Sequence, residues 1–249
     1  MMSANAHQNN GGALLITGGA ARIGKEISLA LAQSNPVVIH YNNSADEADT
    51  LAAEINKVGL HAFTIKADLN NPDEVAGLVE KSSQVANQQI IGLVNNASIF
   101  EEDDALTVSK QSFDKHMNIN LWAPLQLSQS LVRNLKDGAS GHIVNIIDQR
   151  VLNASTGFTS YTLSKSALWA QTKNLAKELA PNVQVNAIAP GPILQSIHQS
   201  EADFAAEINS LPLRKNPSAK DIAKAVKFLM DNNAITGEMI ALDGGQHLL

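Results

Sequence analysis

Seven short stretches dense in β-branched and other apolar residues punctuate this chain, at 13–17, 36–41, 62–66, 90–94, 142–147, 183–187 and 239–242. Each is four to six residues long, too short for a stable helix and suited to a strand buried on both faces. Between them lie longer segments with small and apolar residues three and four apart, among them 23–33, 44–58, 72–85, 112–135, 161–179 and 219–230. That spacing belongs to helices that bury one face. Strands alternating with helices need crossover connections, and right-handed crossovers build a parallel sheet covered on both sides. The alternation therefore predicts an α/β fold: a single-domain, Rossmann-like, doubly wound parallel sheet of about seven strands with helices on both faces. In such sheets ligands sit beyond the carboxyl ends of the strands. The loops there are where chemistry is expected.

The chain has 249 residues, 44% of them hydrophobic and 17% charged, enough for one sizeable core. No Pro- or Ser-rich linker, charge block or internal repeat interrupts it. Residues 1–12 are polar and end in two glycines, without the basic start and apolar centre of a signal peptide, so a disordered tail over 1–12 and one domain over 13–249 are expected. No apolar run approaches the roughly 20 residues that cross a bilayer. There is no cysteine, which excludes a disulfide framework and a thiolate site. A cytoplasmic location with no membrane partner follows as the expectation. The net charge of −6 offers no basic field for phosphates, so nucleic acid is not an expected partner. Six of the seven histidines, His40, His61, His116, His142, His198 and His247, show no pair at metal-binding helical spacing. No metal is expected.

The first strand runs into Thr17-Gly18-Gly19-Ala20-Ala21-Arg22-Ile23-Gly24 and then a helix. Small residues there let backbone and helix N-terminus approach a pyrophosphate, although such a turn can also be only a tight turn. The second strand ends in His40-Tyr41-Asn42-Asn43-Ser44, about 20 residues on, where a dinucleotide fold holds the adenosine ribose. An acid there would bind the ribose hydroxyls of NAD and repel a 2′-phosphate. This chain offers neutral hydrogen-bonders with Arg22 nearby, which favours NADP (NADPH/NADP+); the alternative is a polar loop and a solvated arginine. Asp68 and Leu69, after the third strand, can cap a helix or meet the adenine edge. Asn95-Asn96-Ala97-Ser98, after the fourth, can line the nicotinamide side of a cleft or form an Asx turn.

Tyr161 and Lys165 stand four apart on a predicted helix and so share a face. An ammonium held there is expected to depress the phenol's pKa from about 10 and fit it for proton transfer. The fifth strand ends at Asp148, thirteen residues before Tyr161, which brings a carboxyl group to the same place, where, if ionised, it would raise the phenol's pKa and oppose Lys165; the plainer reading of Asp148 is a strand-end helix or turn cap. Arg150, two residues on, can pair with Asp148, touch an anionic substrate tail or lie in solvent.

Taken in order, the glycine turn, Asn95-Asn96-Ala97, Asn120, Tyr161-xxx-Lys165 and Pro190-Gly191 resemble the short-chain dehydrogenase/reductase family along nearly the whole chain. The resemblance implies hydride transfer from a nicotinamide, with Tyr161 and Lys165 serving the proton and Asn120 holding a water that links Lys165 to solvent. It implies cofactor contacts from Gly18, Arg22, Ile23, Gly24, His40, Tyr41, Asn42, Asn43, Ser44, Asp68, Leu69, Asn96, Ala97, Ser98, Lys165, Pro190, Gly191 and Ile193. It also implies a homotetramer through the helices near 107–135 and 161–179, where Ala167, Ala170 and Ala176 permit close packing. The largely polar segment 195–210 is expected to be a mobile substrate lid.

Two departures narrow the family. Arg22 stands where a third glycine is usual, and Asp148 where a catalytic serine is usual. Both resemble the pteridine reductase and dihydromonapterin reductase subgroup, as do Asn95-Asn96-Ala97-Ser98-Ile99-Phe100 and the stretch from Leu242 to Leu248. That subgroup implies NADPH-dependent reduction of a pterin or folate, a reaction on a C=N/CH–NH bond. Its substrate contacts would be Arg22, Ser98, Phe100, Asp148 and Tyr161, with Phe100 stacked on the pterin; the plainer reading of Phe100 is a core residue. Several pteridine reductases grip the 2′-phosphate with a basic residue where this chain has Asn43, so NADP preference rests more heavily on Arg22 and the neutral donors. The alternatives are a carbonyl reductase of the same family, such as a 3-oxoacyl-thioester reductase, and a non-catalytic dinucleotide-sensing protein.

Overall fold

The strands are β1 (Ala13–Ile16), β2 (Val37–Tyr41), β3 (Ala62–Lys66), β4 (Ile90–Asn95), β5 (Gly141–Ile146), β6 (Val183–Pro190) and β7 (Met239–Leu242). Each overlaps its apolar stretch in the sequence to within one residue at either end, except β6, which runs three residues further. The structure, a computed structural model, describes residues 11–193 and 200–249. All seven strands join one sheet in the order β3-β2-β1-β4-β5-β6-β7, every neighbouring pair parallel. Chain direction across the sheet reverses between β1 and β4. The crevice beyond their carboxyl ends is the topological switch point of a doubly wound fold.

The helices are α1 (Arg22–Leu31), α2 (Ala45–Lys57), α3 (Pro72–Ala76), α4 (Leu78–Ala86), α5 (Lys110–Met117), α6 (Ala123–Asn134), α7 (Thr159–Glu178), α8 (Glu201–Ser210) and α9 (Ala219–Met230). Alternate strand residues sort them onto two faces. Leu14, Ile16 and Val144 pack with Ile27, Leu51 and Val226 of α1, α2 and α9. Leu15, Leu93 and Ile143 pack with Leu78, Leu127 and Leu175 of α4, α6 and α7. Both faces of the sheet are thus buried, the arrangement that near-continuous apolar strands require.

Three segments depart from the sequence expectation. The helix expected over 72–85 is broken at Gly77 into α3 and α4. The helix expected over 112–135 is interrupted by a π-helical turn, Asn118–Trp122, in which the Ala123 N–H donates to the Asn118 carbonyl five residues back. Pro124 has no N–H to offer Asn120, so the ladder must widen there. Of the lid expected over 195–210, residues 195–199 lie outside the described residues. The remainder is α8, capped by Ser200, whose Oγ accepts from the Asp203 N–H. The expected tail lies outside the described residues as far as residue 10; Gly12 is buried, and its carbonyl accepts from Asn35 Nδ2 at 3.1 Å. No helix among the described residues is long and apolar enough to cross a membrane.

Candidate active site

The turn after β1 is built from residues that only a close approach explains. Gly18 has φ +59°, and a Cβ at Gly24 would lie 2.0 Å from the Gly18 carbonyl oxygen and 2.8 Å from Asn96 Nδ2. Asn96 ties the loop after β4 to this turn by donating from Nδ2 to the Thr17 and Gly18 carbonyls at 2.9 and 3.0 Å. The Asn96 and Ala97 N–H groups both donate to Thr17 Oγ1. Beneath the turn His40 is only 2% exposed; its Nδ1 accepts from the Gly18 N–H at 3.1 Å and its Nε2 donates to the Ala67 carbonyl at 3.0 Å. Burial lowers the His40 pKa to about 4. His40, expected among the cofactor contacts, is therefore a staple that shapes the turn, with both ring nitrogens spent.

Arg22 is exposed and has φ +50°, in the left-handed region, which accounts for glycine being usual at this position. No side chain caps α1, its first turn holds no acid, and the Arg22, Ile23 and Gly24 N–H groups find no acceptor among the described residues. An uncapped helix N-terminus at the switch point, beside an exposed arginine and a glycine turn, fits a pyrophosphate. Beyond β2, Tyr41 and Ser44 are half-buried and Asn42 and Asn43 exposed; the nearest acids, Asp46 and Glu47, belong to the first turn of α2. Asp68 donates its N–H to Glu74 and caps the Asn70 N–H, while the Leu69 side chain lies in the core. On the other side of the crevice, Pro190 ends β6 and Gly191 lies so close to Asp243 that a Cβ would meet its Cα at 2.7 Å. Ile193 is buried against the sheet.

Asp148, Tyr161 and Lys165 do come together. Tyr161 Oη donates to Asp148 Oδ2 at 2.8 Å, and Asp148 Oδ1 accepts the Arg150 N–H at 2.8 Å. Asp148 thus caps the 3₁₀ turn Gln149–Val151 with one oxygen and holds the tyrosine with the other. Burial pushes the Asp148 carboxyl up, with its hydrogen bonds and the charges of Arg150 and Lys165 opposing. Burial, then the charge of Asp148, pushes Tyr161 well above the usual phenol range. The expectation that Lys165 depresses this phenol is not met. Lys165 Nζ donates to the Ile146 carbonyl at 2.8 Å, lies 5.7 Å from the tyrosine ring centroid, and is itself lowered to about 8 by burial. Asn120, carried by the π-helical turn, also reaches the cluster, but its amide is saturated. Oδ1 accepts from the Ser98 hydroxyl and the Ile99 N–H, and Nδ2 donates to the Ile99 carbonyl and Ser164 Oγ. The side-chain amide is thus fully spent on protein partners.

Phe100 is 41% exposed and is not a core residue. One face stacks on Phe158, with centroids 4.0 Å apart and planes 8° apart, and Tyr161 meets it edge to face at 4.7 Å. The sequence reading missed Phe158, whose signal was an aromatic three residues before the tyrosine. It also missed Asp103 and His116. The Asp103 carboxylate accepts from the Ser160 N–H at 2.9 Å and Ser112 Oγ at 2.7 Å, capping α7, whose own N-cap position makes no side-chain bond. His116 accepts the Glu101 N–H and bonds the Ser112 carbonyl. These two residues fix the segment bearing Phe100 against the helix bearing Tyr161.

The family model described as short chain dehydrogenase matches residues 13–205. A solved structure described as FolM alternative dihydrofolate reductase 1 from Brucella canis, complexed with NADP, superposes with a TM-score of 0.90 at 43% identity over 97% of this chain and 96% of that one. The corresponding protein from Brucella suis, also in complex with NADP, gives 0.89 and 44% over 95% of each chain. The 3-oxoacyl-[acyl-carrier-protein] reductase FabG of Staphylococcus epidermidis is 30% identical over 94% of this chain and 98% of its own length.

Proposed function

The chain belongs to the short-chain dehydrogenase family, and from that premise we propose that it is an NADPH-dependent reductase of a pterin or folate, dihydromonapterin, dihydrobiopterin and dihydrofolate being the candidate substrates. One observation carries the reading: the hydrogen bond from Tyr161 to Asp148 at 2.8 Å. It puts a carboxyl group, and not a hydroxyl, beside the proton donor. A serine hydroxyl suits the oxygen of a ketone. A carboxylate accepts from a ring N–H and, once protonated, can pass a proton on.

When bound, NADPH supplies the hydride. The glycine turn and the α1 N-terminus would hold its pyrophosphate, Arg22 its 2′-phosphate, and Asn96, Ala97, Pro190 and Gly191 would border its nicotinamide end. Lys165, held by the Ile146 carbonyl, would hydrogen-bond the nicotinamide ribose. Tyr161 gives its proton to the ring nitrogen next to the carbon that is reduced. Asp148, held upward by burial, takes up a proton more readily than an ordinary carboxylate and returns it to the tyrosine oxygen, so that the two titrate as a pair. Phe100 offers an exposed aromatic ring 4.7 Å from Tyr161 for a flat bicyclic substrate; offset stacking adds about 0.5–1.5 kcal/mol beyond area burial. The likeness to two NADP-bound dihydrofolate reductases at 43% and 44% identity supports the reading.

The 30% identity to a 3-oxoacyl reductase favours a second reading, carbonyl reduction with Asp148 in place of serine. NADPH oxidation followed in parallel with a dihydropterin, dihydrofolate, a quinone and acetoacetyl thioester separates the two. The pterin or folate should be turned over at least tenfold faster. A thioester preference would return the carbonyl-reductase reading to first place.

A further inference from the structure

Arg150 is half-buried, and its guanidinium makes no hydrogen bond or ion pair among the described residues. Nη1 is shielded from solvent without a partner. A buried donor left unpaired costs free energy, so its retention needs a reason. The main chain at Arg150 is fixed by its N–H bond to Asp148, which holds the residue next to the reactive pair. Its Cζ lies 5.2 Å from the Phe158 centroid and 5.8 Å from that of Phe100. The guanidinium thus keeps a cation–π contact with both rings, at the long end of the range. That contact holds the charge in place but gives Nη1 no acceptor.

Building on the pterin-reductase reading, we propose that Arg150 is a specificity-determining residue that donates to a ring carbonyl of the substrate beside Asp148, so that the two side chains together recognise a lactam edge. A cyclic lactam presents an N–H and a C=O on neighbouring ring atoms. Asp148 accepts from the first and Arg150 donates to the second, in a charge-assisted pair of bonds. A 4-amino analogue presents a ring nitrogen acceptor and an NH₂ donor in the opposite order, which turns N–H groups toward the guanidinium. A simple ketone or thioester offers only the acceptor. The charge of Arg150 also opposes that of Asp148 at the tyrosine, since it lowers both groups.

The test is calorimetric titration of the NADP⁺-loaded protein with pterin, which carries the 4-oxo lactam, and with 2,4-diaminopteridine, which does not. Arg150→Leu should weaken pterin binding roughly tenfold or more, the range of one charge-assisted hydrogen bond, and leave the diamino compound within about twofold. Arg150→Lys, which keeps the charge without the planar fork, should recover part of the loss. Equal weakening of both compounds, no change in either, or a wild-type protein that fails to bind pterin would overturn the assignment. Dihydropterin turnover reports separately on the reductase reading: intact discrimination in binding without turnover would sink that reading and leave the Arg150 contact standing.

Discussion

Replacing His40 by glutamine should make the protein less sensitive to acid. The turn uses the neutral imidazole with its hydrogen on Nε2, because Nδ1 must accept the Gly18 N–H while Nε2 donates to the Ala67 carbonyl. Protonation would set two N–H groups against each other at Gly18. Burial holds the folded pKa to about 4 against an ordinary 6.5, with the Ala67 bond and the charge of Asp68 opposing it. The folded value is depressed, so the unfolded chain takes the proton first. The contribution of His40 is complete above about pH 6.5 and is lost as the pH falls toward 4. A gap of about 2.5 units at 1.36 kcal/mol each is worth about 3 kcal/mol. Glutamine keeps an acceptor and a donor and does not titrate. In urea unfolding at pH 7 and pH 4, the wild type should therefore lose about 3 kcal/mol more than His40→Gln. His142, also lowered by burial, titrates in both proteins and cancels. Parallel stability curves for the two proteins would refute the assigned tautomer and its burial.

Arg22→Ala should erase much of a preference for NADPH over NADH. Arg22→Gly should do so without loss of stability, because a left-handed φ costs a non-glycine residue about 1 kcal/mol; equal dissociation constants for the two cofactors in the wild type would contradict this. Asp148→Asn should slow dihydropterin reduction about 100-fold or more. The same change should raise the melting temperature at pH 7, since a carboxyl whose folded pKa is raised favours the fold below its unfolded pKa and opposes it as the pH rises through the folded value. A lower melting point would show that the carboxylate cap dominates. The protein should sediment as a homotetramer through its long helices, where Trp122 and Leu163 are 47% and 50% exposed; a monomer at micromolar concentration would contradict that.

The fold was legible because its signal is local and repeated: each strand is a short apolar run, and strand alternation with helices fixes a parallel sheet. The breaks were not. The π-helical turn that delivers Asn120 arises from one missing N–H at Pro124, which a periodicity pattern passes over. Tyr161, Lys165 and Asp148 were legible as a cluster because strand end and helix start bring them together. Their protonation was not, since burial outweighs charge there, and Tyr161 is covered by Phe100, which lies far away in sequence. Asp103 and His116 escaped notice because an acid capping a helix 57 residues away leaves no spacing to recognise. His40 looked like a cofactor contact from its place at a strand end, and only the inward turn of its ring makes it a support.

Single-turnover oxidation of NADPH, with dihydropterin and with acetoacetyl thioester, on the wild type and on Asp148→Ser, bears most directly on the identity of the reaction. The wild type should reduce the dihydropterin at least tenfold faster than the thioester. Asp148→Ser should lose dihydropterin reduction roughly 100-fold while its rate with the thioester does not fall. A near-normal dihydropterin rate in Asp148→Ser, or a wild type that prefers the thioester, would contradict a carboxyl-assisted pterin reductase.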